Sequence, residues 1–164
     1  MQHTCHKTLK HVPLFLLLHL LATGTTAQAA SAVVAWGNNS FGQTNVPPVL
    51  AHIVAVAGGD GHSLALLSNG TAIAWGRKDD DEGVVPMALS NVVSIAAGDV
   101  HNVALKSDGT VTAWGASWAS GAVPPFLAGV GAVAAGGSSS VALKTDGTVV
   151  GWGYFYPPEP YPCS

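Results

Sequence analysis

The sequence predicts an all-β fold of the β-propeller type with about three blades. Three observations lead to this prediction: a repeat of nearly constant length, apolar residues that alternate at the two-residue period of a strand, and a hairpin-turn dipeptide in each repeat. The repeat is marked by the dipeptide Trp-Gly at 36–37, 75–76, 114–115 and 152–153, at spacings of 39, 39 and 38 residues. A fixed period of about 40 residues is typical of propellers, solenoids and arrays.

Residues 1–29 are predicted to be a secretory signal peptide. They carry Lys7 and Lys10 but no acid, continue with an apolar run of 11 residues at 12–22, and end in Ala27-Gln28-Ala29. A basic start, an apolar middle and a small-residue end form the pattern of an export signal. A spanning helix needs roughly 20 apolar residues. We therefore expect a secreted protein, periplasmic or extracellular, without a stable membrane span.

The repeats are predicted to occupy residues 30–153, and residues 154–164 form a tail rich in Pro and Tyr. From residue 30 onward the chain has nine acidic and four basic residues, a formal charge of −5. Binding to nucleic acid depends on clustered Lys and Arg, which contact phosphates. The acidic balance, without a basic patch, therefore excludes nucleic acid as the expected partner.

Each repeat is predicted to contain a short strand followed by a hairpin. In the second period these are residues 53–57, 62–67 and 71–75, and Asn69-Gly70 supplies a turn with positive φ. The third and fourth periods place Asp108-Gly109 and Asp146-Gly147 at the same turn. We expect a further short strand near the Val-Pro segments at 46–47, 85–86 and 123–124, and helical periodicity is absent from the repeats.

Two kinds of residue recur with the repeat and are interpreted as structural. The tryptophans are expected to fill the core, and the histidines, each preceded by Gly-Asp-x, are expected to hydrogen-bond neighbouring backbone at the entrance of a strand. A single histidine in each blade does not give the converging ligands of a metal site, and Ser139 takes its place in the last repeat. These structural positions are Trp36, Trp75, Trp114, Trp152, His62 and His101.

The chain resembles the repeats of the regulator of chromosome condensation type. The resemblance covers about residues 32–153 and is clearest at residues 33–66. The residues that carry it are Trp36-Gly37, Gly42-Gln43, Gly59, His62, Ser63, Ala65, Leu66 and Asn69-Gly70-Thr71. The compact period is most similar to the short exported version of the repeat, and a similar version builds secreted propellers that inhibit β-lactamases.

The resemblance implies a propeller, usually of seven blades, of which this chain supplies about three as a partial arc. An arc of three blades would leave two broad unpaired faces. We therefore expect either self-association that covers these faces, or a chain that is a shortened fragment. The Gly-Gln of the first loop is expected to become Glu82-Gly83 in the second loop and Ser120-Gly121 in the third.

No arrangement of residues in the sequence is typical of an enzyme. The chain has no nucleophile elbow, phosphate loop, Ser–His–Asp order or Cys–His cluster. We therefore predict a non-enzymatic protein without catalytic residues, cofactor or metal. The acidic run Asp79-Asp80-Asp81-Glu82 is interpreted as a solvated loop, and a weak site for a cation or a basic partner is the alternative.

Function is expected where the repeats differ, in the loops 38–45, 77–85 and 116–123 that follow each Trp-Gly. Equivalent loops should line one rim, through which we expect the protein to bind another protein or a glycan. The candidate binding residues are Asn39, Phe41, Arg77, Asp80 and Trp118. The alternatives are a guanine-nucleotide exchange or chromatin regulator, a secreted enzyme inhibitor, and a fragment without a function of its own.

Overall fold

The computed structural model describes residues 33–154, so the expected signal peptide and all of the tail after Tyr154 lie outside the described residues. Within this range the chain forms three antiparallel sheets of three strands each, which follow one another along the sequence. The all-β prediction with about three blades is confirmed. Blade 1 consists of β1 (Ile53–Gly58), β2 (His62–Leu67) and β3 (Ala72–Gly76); blade 2 of β4 (Val92–Ala97), β5 (His101–Lys106) and β6 (Val111–Gly115); and blade 3 of β7 (Val130–Gly136), β8 (Ser139–Lys144) and β9 (Val149–Gly153).

The blades stack face to face, and each interface between them is an apolar core. Each blade has an outgoing face, turned toward the next blade in the chain, and an incoming face, turned toward the previous one. Between blades 1 and 2, Leu64 and Leu66 of the outgoing face pack against Ala104 and Trp114 of the incoming face. The second interface repeats the first with the equivalent residues Val103, Leu105, Ala142 and Trp152. Alternate residues of a central strand are therefore buried on opposite faces, which explains the alternating apolar pattern.

The hairpins turn where the sequence predicts, by a three-residue loop with a glycine at positive φ. In blade 1, Gly70 (φ 78°) donates its N–H to the Leu67 carbonyl, and the Leu67 N–H bonds to the Thr71 carbonyl. This is the geometry of a type I turn followed by a glycine bulge. In blades 2 and 3 an aspartate completes the turn, because Thr110 and Thr148 each donate a backbone N–H and a hydroxyl to it. These hydrogen bonds lower the pKa of Asp108 and Asp146.

Two details of the sequence-based prediction are corrected. The Val-Pro segments form no strand in residues 33–154, so the blades have three strands; Val85 and Val123 instead pack into the cores between blades. The loop after β6 contains one helical turn, α1 (Ser117–Ser120), although no helix was expected. This loop is one residue shorter than its equivalents, and the carbonyl of Ala116 accepts from the N–H of Ser120 at 2.7 Å.

Backbone hydrogen bonds connect neighbouring blades at both ends of their strands. At one end Asp60 N–H donates to Asp99 O at 3.2 Å, and Asp99 N–H donates to Gly137 O at 2.9 Å. The turns before β2, β5 and β8 and the loops after β3 and β6 begin at this end. The loop 38–45 lies there too, because Gln43 O accepts from Ser63 Oγ at 2.8 Å, and we call this end of the blades the rim. At the opposite end Val92 N–H donates to Gly70 O, and Val130 N–H donates to Gly109 O. Backbone hydrogen bonds thus join each blade to the next at both ends of the strands.

A glycine at the end of the first strand lets neighbouring blades approach closely at the rim. An added Cβ on Gly59 would collide with the imidazole of His62 and would lie 2.5 Å from the carbonyl oxygen of Gly98. Gly98 has the same relation to His101 and lies close to Gly137 of blade 3. No side chain larger than hydrogen fits between the histidine ring and the next blade.

We predict that Gly59→Ala lowers the free energy of unfolding by about 1–3 kcal/mol, the usual cost of overpacking a close contact. Gly58→Ala is the matched control, because a Cβ at the preceding residue meets nothing within 4 Å. Thermal and urea unfolding followed by circular dichroism measure both variants. Equal stabilities for the two variants would contradict the steric argument.

Candidate functional site

The first two loops of the rim share one local structure. Gly42 and Asp81 both have positive φ, at 81° and 62°, and each is followed by a buried residue, Gln43 or Glu82. The side-chain oxygen of Gln43 accepts the Phe41 N–H at 3.0 Å, and that of Glu82 accepts the Asp80 N–H at 2.9 Å. The expected equivalence of Gly-Gln with Glu82-Gly83 is therefore wrong by one residue: its counterpart is Asp81-Glu82. The equivalence is hidden in the sequence because a glycine has the positive φ in the first loop, whereas an aspartate adopts the same conformation in the second.

Three of the predicted binding residues form one cluster across these two loops. The guanidinium of Arg77 lies 5.3 Å from the ring centre of Phe41, a cation–π arrangement. Its Nε is 3.0 Å from Asp79, and its Nη2 is 3.8 Å from Asp80. The hydrogen bond to Asp79 raises the pKa of Arg77. Phe41 still exposes 47% of its surface, so the cluster presents an aromatic edge beside carboxylates.

The acidic run is not a uniformly solvated loop, because its last residue is buried. Glu82 has no exposed surface, and its Oε1 lies 3.5 Å from Nε of Arg77. Its backbone carbonyl accepts the Asn102 side-chain amide of blade 2 at 2.8 Å. Asp79 and Asp81 are exposed. Glu82 therefore anchors the loop that follows blade 1 to blade 2, and the acidic residues before it face solvent.

The third loop replaces this cluster with α1, which carries Trp118. The side chain of Trp118 is 54% exposed, whereas Ala116 and Ala119 of the same loop pack against Val100 in a small apolar cluster. Residue 118 is thus presented on a fixed turn at the rim, in the loop that connects blades 2 and 3. The structure gives no contact between Trp118 and the Arg77 cluster.

Asn39 is engaged within its own loop. Its Nδ2 donates to Asn45 Oδ1 at 2.9 Å, and its Oδ1 accepts the Thr44 N–H at 3.0 Å. The residue is exposed, but both ends of its amide hold the loop in shape. Its contribution to the rim is therefore the conformation that places Phe41.

The repeat tryptophans divide into two groups. Trp75, Trp114 and Trp152 are buried at 5–7% exposure, but Trp36 is 84% exposed, contrary to the expectation that it fills the core. Residues 33–37 form no strand, and the described chain has no blade before blade 1 against which Trp36 could pack. Trp36 instead borders a cleft of about 330 Å³, which is also lined by Asn38, Asp60 and Ser63. Sequence reasoning missed this cleft because the repeat assigns Trp36 to a core.

The histidines are buried and join one blade to the next. His62 Nε2 lies 2.7 Å from Asn102 Oδ1 of blade 2, and His101 Nε2 lies 2.9 Å from Ser140 Oγ of blade 3. These hydrogen bonds extend to side chains of the neighbouring blade, beyond the nearby backbone that the sequence suggested. Desolvation by burial lowers the pKa of both histidines. Among residues 33–154, no group of three or more His, Cys, Asp and Glu side chains could hold a metal ion.

Charge is segregated between the two ends of the described blades. The rim carries six carboxylates and two basic side chains, a formal excess of four negative charges; these residues are Asp60, Asp79, Asp80, Asp81, Glu82, Asp99, Arg77 and Lys78. At the hairpin end each lysine pairs with an aspartate, Lys106 with Asp108 at 3.7 Å and Lys144 with Asp146 at 2.9 Å. The negative potential is therefore concentrated on the rim that also carries Phe41 and Trp118.

The family model of the regulator of chromosome condensation (RCC1) repeat matches residues 53–83, 92–117 and 132–155. Each matched range covers the strands of one blade, except that the third begins at the third residue of β7. The chain belongs to the RCC1-repeat family. Propellers of this family generally serve as protein-binding scaffolds. No curated protein matches the chain.

Solved propeller structures of this type are similar to the RCC1-repeat chain. The ectodomain of the Physcomitrella patens receptor kinase CR4 has a TM-score of 0.59 at 24% identity, over 71% of this chain and 34% of that one. Prp20p from Saccharomyces cerevisiae has a TM-score of 0.55 at 26% identity, over 65% and 32%. The CRINKLY WD40 ectodomain of the Arabidopsis thaliana receptor kinase ACR4 has a TM-score of 0.50 at 26% identity, over 63% and 36%. The chain spans about a third of each of these structures.

No helix within the described part of the RCC1-repeat chain is long and apolar enough to cross a membrane.

We predict that the stability of the fold decreases as the pH falls below about 6.5. The unfolded chain binds protons at its histidines from about pH 6.5 downward, whereas burial keeps His62 and His101 neutral to lower pH in the folded state. Each histidine then destabilises the fold by about 1.4 kcal/mol per unit by which burial lowers its pKa. Urea unfolding at about pH 7.5 and about pH 5, above the range of the carboxylates, measures the effect.

His101→Gln should reduce this pH dependence, because it removes one buried titrating ring. His52→Asn is the control: His52 is exposed at the hairpin end with φ 57°, a conformation that asparagine tolerates. A pH profile that is the same in His101→Gln and in the unsubstituted chain would rule out the buried imidazole as its origin.

Proposed function

We propose that the chain is an exported, non-enzymatic scaffold whose rim binds a protein with a basic surface. The observation that carries this proposal is the segregation of charge. The rim has an excess of four negative charges and two exposed aromatic side chains, whereas the hairpin end is formally balanced by its Lys–Asp pairs. A one-sided negative field accelerates encounter with a positively charged partner and orients it.

The construction of the rim supports a role in recognition. The Arg77 guanidinium packs on the ring of Phe41, which restricts that side chain before binding, and α1 fixes the backbone that carries Trp118. Aromatic side chains are the commonest anchors of protein interfaces. The loops differ from blade to blade while the cores between blades repeat, which is the arrangement expected of a scaffold with a variable binding edge.

Export is supported by the sequence pattern of residues 1–29 and by similarity to two receptor-kinase ectodomains. Prp20p, whose structure was described together with its binding to Gsp1p and histones, is a similar propeller with protein partners. Histones are basic, the class of surface that the acidic rim favours. The secreted enzyme inhibitor expected as an alternative is a special case of protein binding. A nuclear exchange regulator has less support, because an export signal directs the chain elsewhere.

A glycan is the second candidate ligand, and the cleft beside Trp36 favours it. The cleft of about 330 Å³ combines an exposed indole with the polar side chains of Asn38, Thr44 and Asp60. An aromatic face with nearby hydrogen-bonding groups suits a sugar ring. None of Asp79, Asp80 and Trp118 lines this cleft, so substitutions at those residues and at Trp36 separate the two candidates.

The test for a basic partner removes charge from each end of the molecule in turn. Asp79→Asn combined with Asp80→Asn neutralises two rim carboxylates, and Asp108→Asn combined with Asp146→Asn neutralises two at the hairpin end while keeping the side-chain oxygen that closes each turn. Binding to an array of extracellular proteins of graded isoelectric point, at low and high salt, measures the effect. We expect basic proteins to dominate among the binders and the rim variant to bind them several-fold more weakly. Binders without charge preference, or equal losses in the two variants, would refute the proposal.

We predict that Trp118→Ala weakens binding of the same partner at least tenfold, a loss of about 1.4 kcal/mol or more, as for an anchoring aromatic residue. Met87→Ala is the control, because Met87 is fully exposed but lies outside the three rim loops. Trp36→Ala in parallel, probed on a glycan array, reports on the cleft. A glycan signal that depends on Trp36, with no loss of binding in Trp118→Ala, would replace the protein-binding proposal.

A further inference from the structure

The outgoing face of blade 3 is built like a buried interface but is exposed. Val141 and Leu143 occupy the positions that Leu64 and Leu66 occupy in blade 1 and that Val103 and Leu105 occupy in blade 2. Those four residues are at most 4% exposed, whereas Val141 is 40% and Leu143 is 46% exposed. The face therefore keeps the apolar pattern of a blade-to-blade contact without a blade on it.

The incoming face of blade 1 has the complementary pattern. Val56 occupies the position of Ile95 and Val133, which pack into the two cores between blades, yet Val56 is 59% exposed. Val33–Ala35 lie across a cleft of about 210 Å³ from Val56 and Trp75, and residues 33–37 form no strand. The outgoing face of blade 3 is thus uncovered, whereas the incoming face of blade 1 is covered only in part: Val56 is exposed, but Ala65 and Trp75 are buried.

The hydrogen bonds that pin neighbouring blades could continue between these two faces. At the rim, Asp60 N–H donates to Asp99 O, and Asp99 N–H donates to Gly137 O. The next bond of this series would run from Gly137 N–H to Asp60 O on an incoming face like that of blade 1. At the hairpin end, Val92 N–H donates to Gly70 O, and Val130 N–H donates to Gly109 O. The next bond of this series would run from Ile53 N–H of such an incoming face to Gly147 O. Blade 3 thus presents the donor at the rim and the acceptor at the hairpin end, and blade 1 presents their partners.

We propose that the outgoing face of blade 3 docks onto the incoming face of blade 1 in a second copy of the chain and takes the place of residues 33–35 beside Trp75. The contact continues the two existing interfaces in apolar pattern, in hydrogen-bond direction and in the absence of charge at its centre. It is head-to-tail, so each copy uses two different surfaces, and repetition closes a ring or extends a row of blades.

One position of this contact differs from the internal interfaces and supplies a sensitive test. Where blades 1 and 2 place His62 and His101, blade 3 has Ser139. The surroundings still suit a histidine: Gly136 corresponds to Gly98, and a Cβ on it meets nothing within 4 Å. On the incoming face of blade 1, Ser63 corresponds to Ser140, which pairs with His101 at 2.9 Å. A histidine at position 139 would therefore meet Ser63 of the second copy.

The first experiment measures the mass of the full chain by light scattering across a dilution series. The chain should be a dimer or larger at high concentration. Leu143→Glu disables the outgoing face and Val56→Glu the incoming face, so each variant alone should be monomeric. Because the contact is head-to-tail, an equimolar mixture of the two variants should form a heterodimer through the one intact pair of faces. Met87→Glu, on an exposed side chain outside both faces, should leave the mass unchanged, and circular dichroism verifies that every variant is folded.

Each other outcome of the mixing experiment overturns the proposal. An unsubstituted chain that stays monomeric at all concentrations shows that no second copy binds. If Val56→Glu alone still dimerises, the outgoing faces bind each other. If the mixture of variants stays monomeric, the two faces do not recognise one another.

The second experiment restores the missing histidine. Ser139→His should tighten self-association about fivefold, the gain expected of one additional hydrogen bond between blades. Ser63→Ala in the same chain should cancel this gain, because it removes the oxygen that the new imidazole contacts. Unchanged or weaker association in Ser139→His would show that Ser139 does not face Ser63 of another copy.

Discussion

The stack of blades depends on a histidine ring placed between two sheets, on a glycine of its own blade. The ring of His62 lies where a Cβ on Gly59 would have to be, and it reaches across to Asn102 in the next blade. A buried polar group of this kind is stabilising only when its hydrogen bond is made, so the ring favours one position of the neighbouring sheet over others. The apolar residues of the same interface pack through contacts that have little directional preference. The histidine and glycine pair therefore sets the register in which the apolar faces meet.

Because the cores between blades hold the fold, the rim loops are free to differ. Gln43 and Glu82 hold their loops by the same bond to a backbone N–H two residues earlier, although one side chain is neutral and the other is a carboxylate. The third loop abandons this device for a helical turn and remains fixed to its blade by Ala116 and Ala119. The same scaffold thus carries a phenylalanine, an arginine with an acidic segment, and an indole in three equivalent loops, which is how a repeat acquires a composite binding surface.

The fold was largely predictable from the sequence, and the candidate site only in part. The strand bounds follow from the two-residue alternation and from the turn dipeptides, which are local signals. Trp36 is exposed because no described blade packs on it, and Glu82 is buried beside the Arg77 guanidinium. Both results depend on neighbours in the folded structure, so the local sequence did not predict them. The partners of His62 and His101 were missed for the same reason: they lie 40 and 39 residues away, on another sheet. The relation of Asp81 to Gly42 was hidden because the shared property is a backbone angle.

Blade 2 is the only one of the three blades with a neighbour on both faces, and this has a consequence for the motions of the molecule. In a stack where each unit contacts only its neighbours, local opening begins at the ends and proceeds inward. Among the three central strands, the amide protons of β5 should therefore exchange with solvent most slowly. Those of β8, in an end blade, should exchange faster. A ligand that bridges the first and third rim loops would slow this opening at both ends of the stack. Binding at the rim would therefore change the exchange rates of residues that the ligand does not touch.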